Sequence, residues 1–204
     1  MMTKTTFVPP EGGLEALIKR AGSNSRGIPP VEKWNPPFCG DLDMRIAADG
    51  LWYYMGSPIG REPLVKLFAS VVRRDEDGRY YLVTPVEKIG ITVEDVPFIG
   101  VELHASGSGR QQQLTVRTNV GDIVEVGPQN PLRFVNDAEN DGLKPYVLVR
   151  GRLEARLARP LLYELAALGE VISMDDEDWF GVFASGNFYP IMLAEELERL
   201  QDMD

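Results

Sequence analysis

The chain has 204 residues, a formal net charge of -10, 44% hydrophobic residues and 25% charged residues. That length suits one large domain or two small ones, and the apolar share is enough for a packed core. Nucleic acid and anionic membrane surfaces are excluded as expected partners, because counterion release needs clustered Lys and Arg and the sequence holds no such cluster.

Residues 1–13, with Pro9-Pro10 and Gly12-Gly13, read as an arm without regular structure. They hold no apolar core of leader length, and no apolar run approaches the ~20 residues of a bilayer span. One cysteine, Cys39, excludes an internal disulfide, and with one histidine, His104, it excludes Cys/His zinc sites. A cytoplasmic protein is the expectation. Leu14 to Arg20 is a short helix candidate. Residues 21–37, rich in Pro and Gly, connect onward and are expected to be pinned by Trp34.

Met44–Ala47, the turn Asp49-Gly50 and Leu51–Met55 predict a hairpin, since Asp-Gly suits a turn with positive φ angles. Residues 56–60 (GSPIG) read as a loop. Pro63 opens a helix, where its missing N–H is harmless. Leu64, Leu67, Phe68 and Val71 then fall on one buried stripe. Strands are predicted at 79–84, 88–93, 98–103, 113–117 and 122–126, with a weaker one at 132–135 and a polar loop at 136–145. Tyr146–Val149 and Leu153–Leu157 flank Arg150-Gly151. Pro160 opens a second helix striped by Leu161, Leu165 and Leu168. Trp179–Ala184 and Phe188–Ile191 form a hairpin, and an acidic helix runs from 193 to 200.

One local order recurs: hairpin, Pro-opened helix, acidic tripeptide. Gly50 and Gly151 are 101 residues apart, as are Asp75 and Asp176, while Pro63 and Pro160 are 97 apart. This predicts two related units. The expected fold class is α+β, with mostly antiparallel strands and one Pro-initiated helix per unit. The expected divisions are an arm with a short helix at 1–29, a first unit at 30–93, and a second unit with the C-terminal helix at 94–204.

The run WNPPFCGDLDMRIAADGLWYYMGSPIGREPLVKLFASVVRRDEDGRYYLVTPVEKI, with VEDVPFIGVEL, LTVRTNVGDIVEV and PYVLVRGRLEARLARPLLYELA, resembles a bacterial family known as domain-of-unknown-function family 1285. The resemblance covers about 34–191. It implies an α+β protein with two related units and a suggested role in signalling or regulation. It supplies no catalytic residue, substrate or cofactor.

The residues offer three constellations. The loop before the helix at Pro63 could present backbone N–H groups at the positive helix end, with Ser57, Gly60, Arg61 and Lys66 receiving an anion and Arg45 as an auxiliary. A plain turn explains the same residues. Asp41, Asp43 and Arg45 alternate, so on a strand they share one face. Two carboxylates there could hold a divalent cation or do acid–base work, or simply form a solvated face. Residues 117–122 (RTNVGD) suit a turn or a pocket mouth. Cys39 is expected to be small and buried. Trp52-Tyr53-Tyr54 and Trp179-Phe180 are expected in matching regions of the two units.

The functional expectation is a non-enzymatic regulatory module binding a small anionic ligand or a protein partner. The rival expectation is a metal-dependent hydrolase or phosphoryl-transfer enzyme using Asp41 and Asp43. A third reading is a purely structural assembly protein whose aromatic surface is a homodimer interface. The sequence identifies no cofactor.

Overall fold

The computed structural model describes Lys19, residues 27–137 and residues 142–201. The arm at 1–13, the rest of the expected helix at 14–20 and residues 138–141 of the polar loop lie outside these. Internal contacts divide the chain into two units. The first runs to Pro97 and takes in Gly151–Leu153, and the second holds Phe98–Arg150 and the chain from Glu154. No described helix is long and apolar enough to cross a membrane.

The first unit is a six-stranded sheet of β1 (Phe38–Ile46), β2 (Trp52–Tyr54), β3 (Ser57–Pro58), β4 (Val72–Arg74), β5 (Tyr80–Val83) and β6 (Lys88–Val93), in the order β3-β2-β1-β6-β5-β4. Helix α1 (Glu62–Ser70) joins its two halves. Each half is an antiparallel meander, and the halves meet at β1 and β6, which run parallel.

Local chemistry explains the turns. Gly50 takes a φ of 85°, its N–H bonding to the Ala47 carbonyl, while the Asp49 carboxylate accepts from the Leu51 N–H at 3.0 Å. The expected loop at 56–60 is different. Met55 and Gly56 both take positive φ, 50° and 75°, and make a tight turn, so Ser57-Pro58 pairs with Tyr53-Tyr54 as β3. Pro58 sits on an edge strand, where its missing donor is tolerated.

Alternation sorts the strands into two faces. Leu42, Met44 and Ile46 are buried with Trp52, Leu82, Ile89 and Ile91. Phe68 of α1 stacks on Trp52 with ring centroids 6.3 Å apart. Asp41, Asp43 and Arg45 point to the opposite, outer face.

The second unit holds β7 (Phe98–Ser106), β8 (Gln113–Thr118), β9 (Ile123–Glu125), β10 (Leu132–Asp137), β11 (Gly142–Arg150) and β12 (Leu153–Leu157). Their order is β9-β8-β7-β12-β11-β10, with β7 and β12 parallel at the centre. Counting strands from the start of each unit, both sheets read 3-2-1-6-5-4. Helix α2 (Arg159–Ala167) buries Leu161 and Leu165. A further three-stranded antiparallel sheet follows: β13 (Glu170–Met174), β14 (Glu177–Ala184) and β15 (Asn187–Leu193), ending in α3 (Ala194–Gln201).

The protein is therefore rich in strands, with few helices and two related units. Its folded repeat is out of register with the repeat in the sequence. Asp49-Gly50 joins the first and second strands of its sheet, whereas Arg150-Gly151 joins the fifth and sixth. The acidic tripeptides both sit at hairpin turns, but Asp176 belongs to the extra sheet. Trp179 and Phe180 lie on β14 of that sheet too, so they do not match Trp52-Tyr53-Tyr54. The local order strand, turn, strand is common to any meander, and the sequence does not say which partner each meander finds.

Candidate functional site

The outer face of the first sheet gathers most of the charge-bearing candidates. Asp41 on β1 pairs in register with Gly90 on β6, which pairs with Tyr81 on β5. The missing side chain at Gly90 leaves a dent, and the ion pair of Asp41 with Arg79 fills it, because a Cβ on Gly90 would overlap the Asp41 carboxylate and come within 2.9 Å of Arg79 Nη2. The Arg79 guanidinium lies 5.4 Å from the Tyr81 ring and 5.8 Å from the Phe38 ring. Phe38 meets Tyr81 edge to face with centroids 6.0 Å apart, and it is half exposed.

A second row runs along the same face. Arg45 forms an ion pair with Glu94 and lies 4.3 Å above the Tyr53 ring. Glu94 also accepts the Ala48 N–H at 2.9 Å. That backbone bond and the Arg45 guanidinium hold the Glu94 carboxyl below its ordinary range. Arg45 is thus a sheet-face residue committed to Glu94. Asp43 is exposed on the same face. Among the described residues no group of three His, Cys, Asp or Glu side chains gathers as metal ligands.

At the other end of β6 lies a buried network. Arg73 donates to both Asp75 oxygens at 2.6 and 3.2 Å and to the carbonyls of Val31 and Trp34 at 2.8 and 2.7 Å. Lys88 donates to Asp75 at 2.9 Å. Trp34 is held here through its backbone. The groove beside this network, lined in part by Glu32, Lys33, Trp34 and Asp77, is open and polar. Tyr81 donates to Asp77, which with the Arg79 N–H keeps the Asp77 carboxyl below its ordinary range; burial, then the Asp77 contact, pushes the Tyr81 phenol up.

The expected anion loop comes out differently. Ser57 is on β3, Gly60 precedes the helix, and Arg61 caps α1 with extended backbone. Lys66 pairs with Glu62 one turn earlier, at 2.6 Å. Pro63 supplies no donor, and the N–H groups of Leu64 and Val65 both turn back to the Arg61 carbonyl. The helix end therefore offers few backbone donors to an anion. Of the three predicted cations, Arg61 alone has no carboxylate partner among the described residues; Arg45 and Lys66 are paired.

The remaining candidates have structural work. Arg117 pairs with Glu102 at 2.6 Å, Asn119 exchanges bonds with Ile99, and Asp122 pairs with Arg150, so 117–122 is a braced turn. Cys39 is exposed, not buried, because β1 starts beyond the core. Trp52 is only 2% exposed, so it is a core residue and not a dimer surface.

Sequence reasoning missed Arg73, Arg79, Glu94 and Gly90. One signal was available: an isolated glycine within a strand pattern marks a close approach, and Gly90 is such a glycine.

Two repeated six-stranded sheets, the first with a charged and aromatic outer face, define a strand-rich α+β protein in two tandem domains. The chain belongs to the DUF1285 family. Residues 29–96 match the "Domain of unknown function (DUF1285), N-terminal domain" and residues 97–191 the "Protein of unknown function (DUF1285), C-terminal domain". The chain is similar to the crystal structure of a DUF1285 family protein from Silicibacter pomeroyi DSS-3, at 49% identity and a TM-score of 0.82, over 90% of this chain and 98% of that one. A DUF1285 family protein from Shewanella baltica OS155 is 27% identical, with a TM-score of 0.48, over 60% of this chain and 89% of that one. Comparison with curated proteins gives no match.

Proposed function

We propose that this chain is a non-enzymatic cytoplasmic binding module in regulation, and that it meets a protein partner through the outer face of its first sheet. The observation that supports this most is the Asp41–Arg79 pair seated over Gly90, with the Arg79 guanidinium beside the contacting Phe38 and Tyr81 rings. It sets opposite charges and an exposed ring side by side on a solvent-facing sheet. Fixed charges and aromatic anchors give an interface its specificity. The carboxyls with displaced pKa values beside this sheet, Asp75, Asp77 and Glu94, are all shifted down by the hydrogen bonds they accept; a general acid needs the opposite shift. The rival metal-dependent enzyme would require a cation to displace Arg79 from Asp41.

The test is a charge exchange, Asp41→Arg with Arg79→Asp. It keeps an ion pair over Gly90 while inverting the pattern offered to a partner. The expected result is a folded protein, with unchanged thermal midpoint within a few degrees, that loses its cellular partner. A partner retained at full strength by the exchanged protein would defeat the reading.

A small anionic ligand is the second reading, at the expected Ser57, Gly60, Arg61 and Lys66, and Arg61, which has no carboxylate partner among the described residues, favours it. Thermal shift with phosphate and with nucleotides tests it. Stabilisation that disappears in Arg61→Ala supports the site; no stabilisation, or one indifferent to Arg61, removes it. A homodimer belongs to the same proposal, and light scattering on wild type and on Tyr53→Ala addresses it.

A further inference from the structure

The three-stranded sheet of the second unit has an edge that departs from the usual design of edge strands. No described strand bonds to the far side of β13, and four of its five residues are exposed. Val171 is 50% and Met174 37% exposed. A free edge presents a row of backbone N–H and C=O groups, and proteins ordinarily blunt such edges with Lys, Pro or a bulge. The run from Glu170 to Asp178 has no Lys, Arg or Pro. Its register with β14 is regular from Glu170↔Gly181 to Met174↔Glu177, so the edge is unbroken.

The surroundings carry mostly negative charge. Glu170 begins the strand, and Asp175, Asp176 and Glu177 make and follow its turn. Asp178, Glu195 and Glu198 line a groove with Asp176 and Glu177 where the turn meets α3. Two cations lie nearby: Arg199 pairs with Glu195 and offsets that one charge of the groove, and Arg110, on the turn whose Gly109 approaches Glu170, lies 5.9 Å from the Phe183 ring.

We propose that β13 is a docking edge for an extended, basic polypeptide segment of another protein, which adds to the sheet as a fourth strand. Main-chain bonds to β13 supply affinity, small apolar residues at alternate positions meet Val171 or Ile172 and Met174, and Lys or Arg residues meet the acidic rim. A second copy of this chain fits less well. Antiparallel pairing of two β13 strands about Ile172 sets Glu170 of one beside the Asp175–Asp176 turn of the other, and like charges across a sheet repel. This edge is independent of the outer face of the first sheet.

The experiment uses the full chain and a labelled ten-residue peptide of alternating Lys and Val, with a Glu–Val peptide as control. Anisotropy reads affinity, and amide hydrogen exchange reads location. The expected result is saturable binding by the Lys–Val peptide only, weakened at least about fivefold between 50 and 300 mM salt by screening. Exchange slows at least about tenfold at saturation at those alternate residues of 171–174 whose N–H points away from β14, as new main-chain bonds close them. Val171→Lys, an exposed change that leaves the core alone, reduces binding at least about fivefold. The proposal is overturned by absence of binding, by protection mapped elsewhere, by equal binding of the Glu–Val peptide, or by Val171→Lys binding as well as wild type. Protection at 171–174 that grows with protein concentration in the absence of peptide overturns it too, in favour of a second copy.

Discussion

Asp41 and Gly90 lie opposite one another across the parallel strands at the centre of the first sheet, and the hydrogen at Gly90 in place of a side chain is what seats the Asp41 carboxylate against Arg79. Gly90→Ala should push the pair off the sheet. Both side chains are half exposed and able to swing away, so the loss should be about 0–1 kcal/mol, that of a surface ion pair. The check is a double-mutant cycle. In an Asp41→Ala background, Gly90→Ala should be neutral or stabilising, because the overlapping carboxylate is gone.

Arg73 should matter far more. It is buried, and it ties Asp75 to the carbonyls of Val31 and Trp34. Arg73→Ala leaves those carbonyls and half of the Asp75 charge without partners. Chemical denaturation should show a loss of roughly 2–4 kcal/mol, near the range for breaking a buried ion pair from one side. Arg73→Lys should recover only part, since one ammonium cannot reach the same partners in a planar fork.

The same network predicts an acid dependence. Burial acts to raise the Asp75 pKa, but hydrogen bonds from Arg73 and Lys88 overcome it and hold the carboxyl below its ordinary 3.8. A depressed folded value contributes stability that is full above the unfolded pKa and is lost as pH falls through the folded one. The thermal midpoint should therefore drop as the pH goes below about 4, the unfolded aspartate value. Asp75→Asn should be less stable at pH 7 and should show a shallower acid slope.

Met55 occupies the first central position of a turn in which both central residues have positive φ. A long side chain is disfavoured there, and Asn before Gly is the preferred pair. Met55→Asn should raise stability by about 1 kcal/mol, the low end of the cost of such strain, since Asn tolerates positive φ better without removing its cost altogether. Gly56→Ala should lower it, since Gly56 also has positive φ. Thermal unfolding of the two variants gives the signs directly.

The elements carried by alternation and turn chemistry were legible in the chain. Asp49-Gly50, the Pro63 and Pro160 helices, and the shared outward face of Asp41, Asp43 and Arg45 all follow from local rules. What local rules do not carry is partnership. Ser57-Pro58 reads as loop because two residues have no period, and only the paired Tyr53-Tyr54 makes them a strand. Glu170–Met174 has no alternation of polarity, so β13 was invisible beside the helix before it. Arg79 finds Asp41 across 38 positions and Arg45 finds Glu94 across 49, distances over which spacing holds no information. The two units were legible as a recurrence, while their register was hidden, because a meander looks alike whichever strands of the sheet it supplies.

The most direct measurement places a photo-crosslinking phenylalanine analogue at position 38, beside the Asp41–Arg79 pair, in wild type and in Gly90→Ala. Both proteins should be folded to within about 1 kcal/mol, so only the seating of the pair differs. A binding role for this face predicts a discrete crosslinked partner in wild type that falls severalfold in Gly90→Ala and is absent when the analogue stands at Tyr163 of the second unit. A partner captured equally with and without the seated pair, or none captured at position 38, would contradict it.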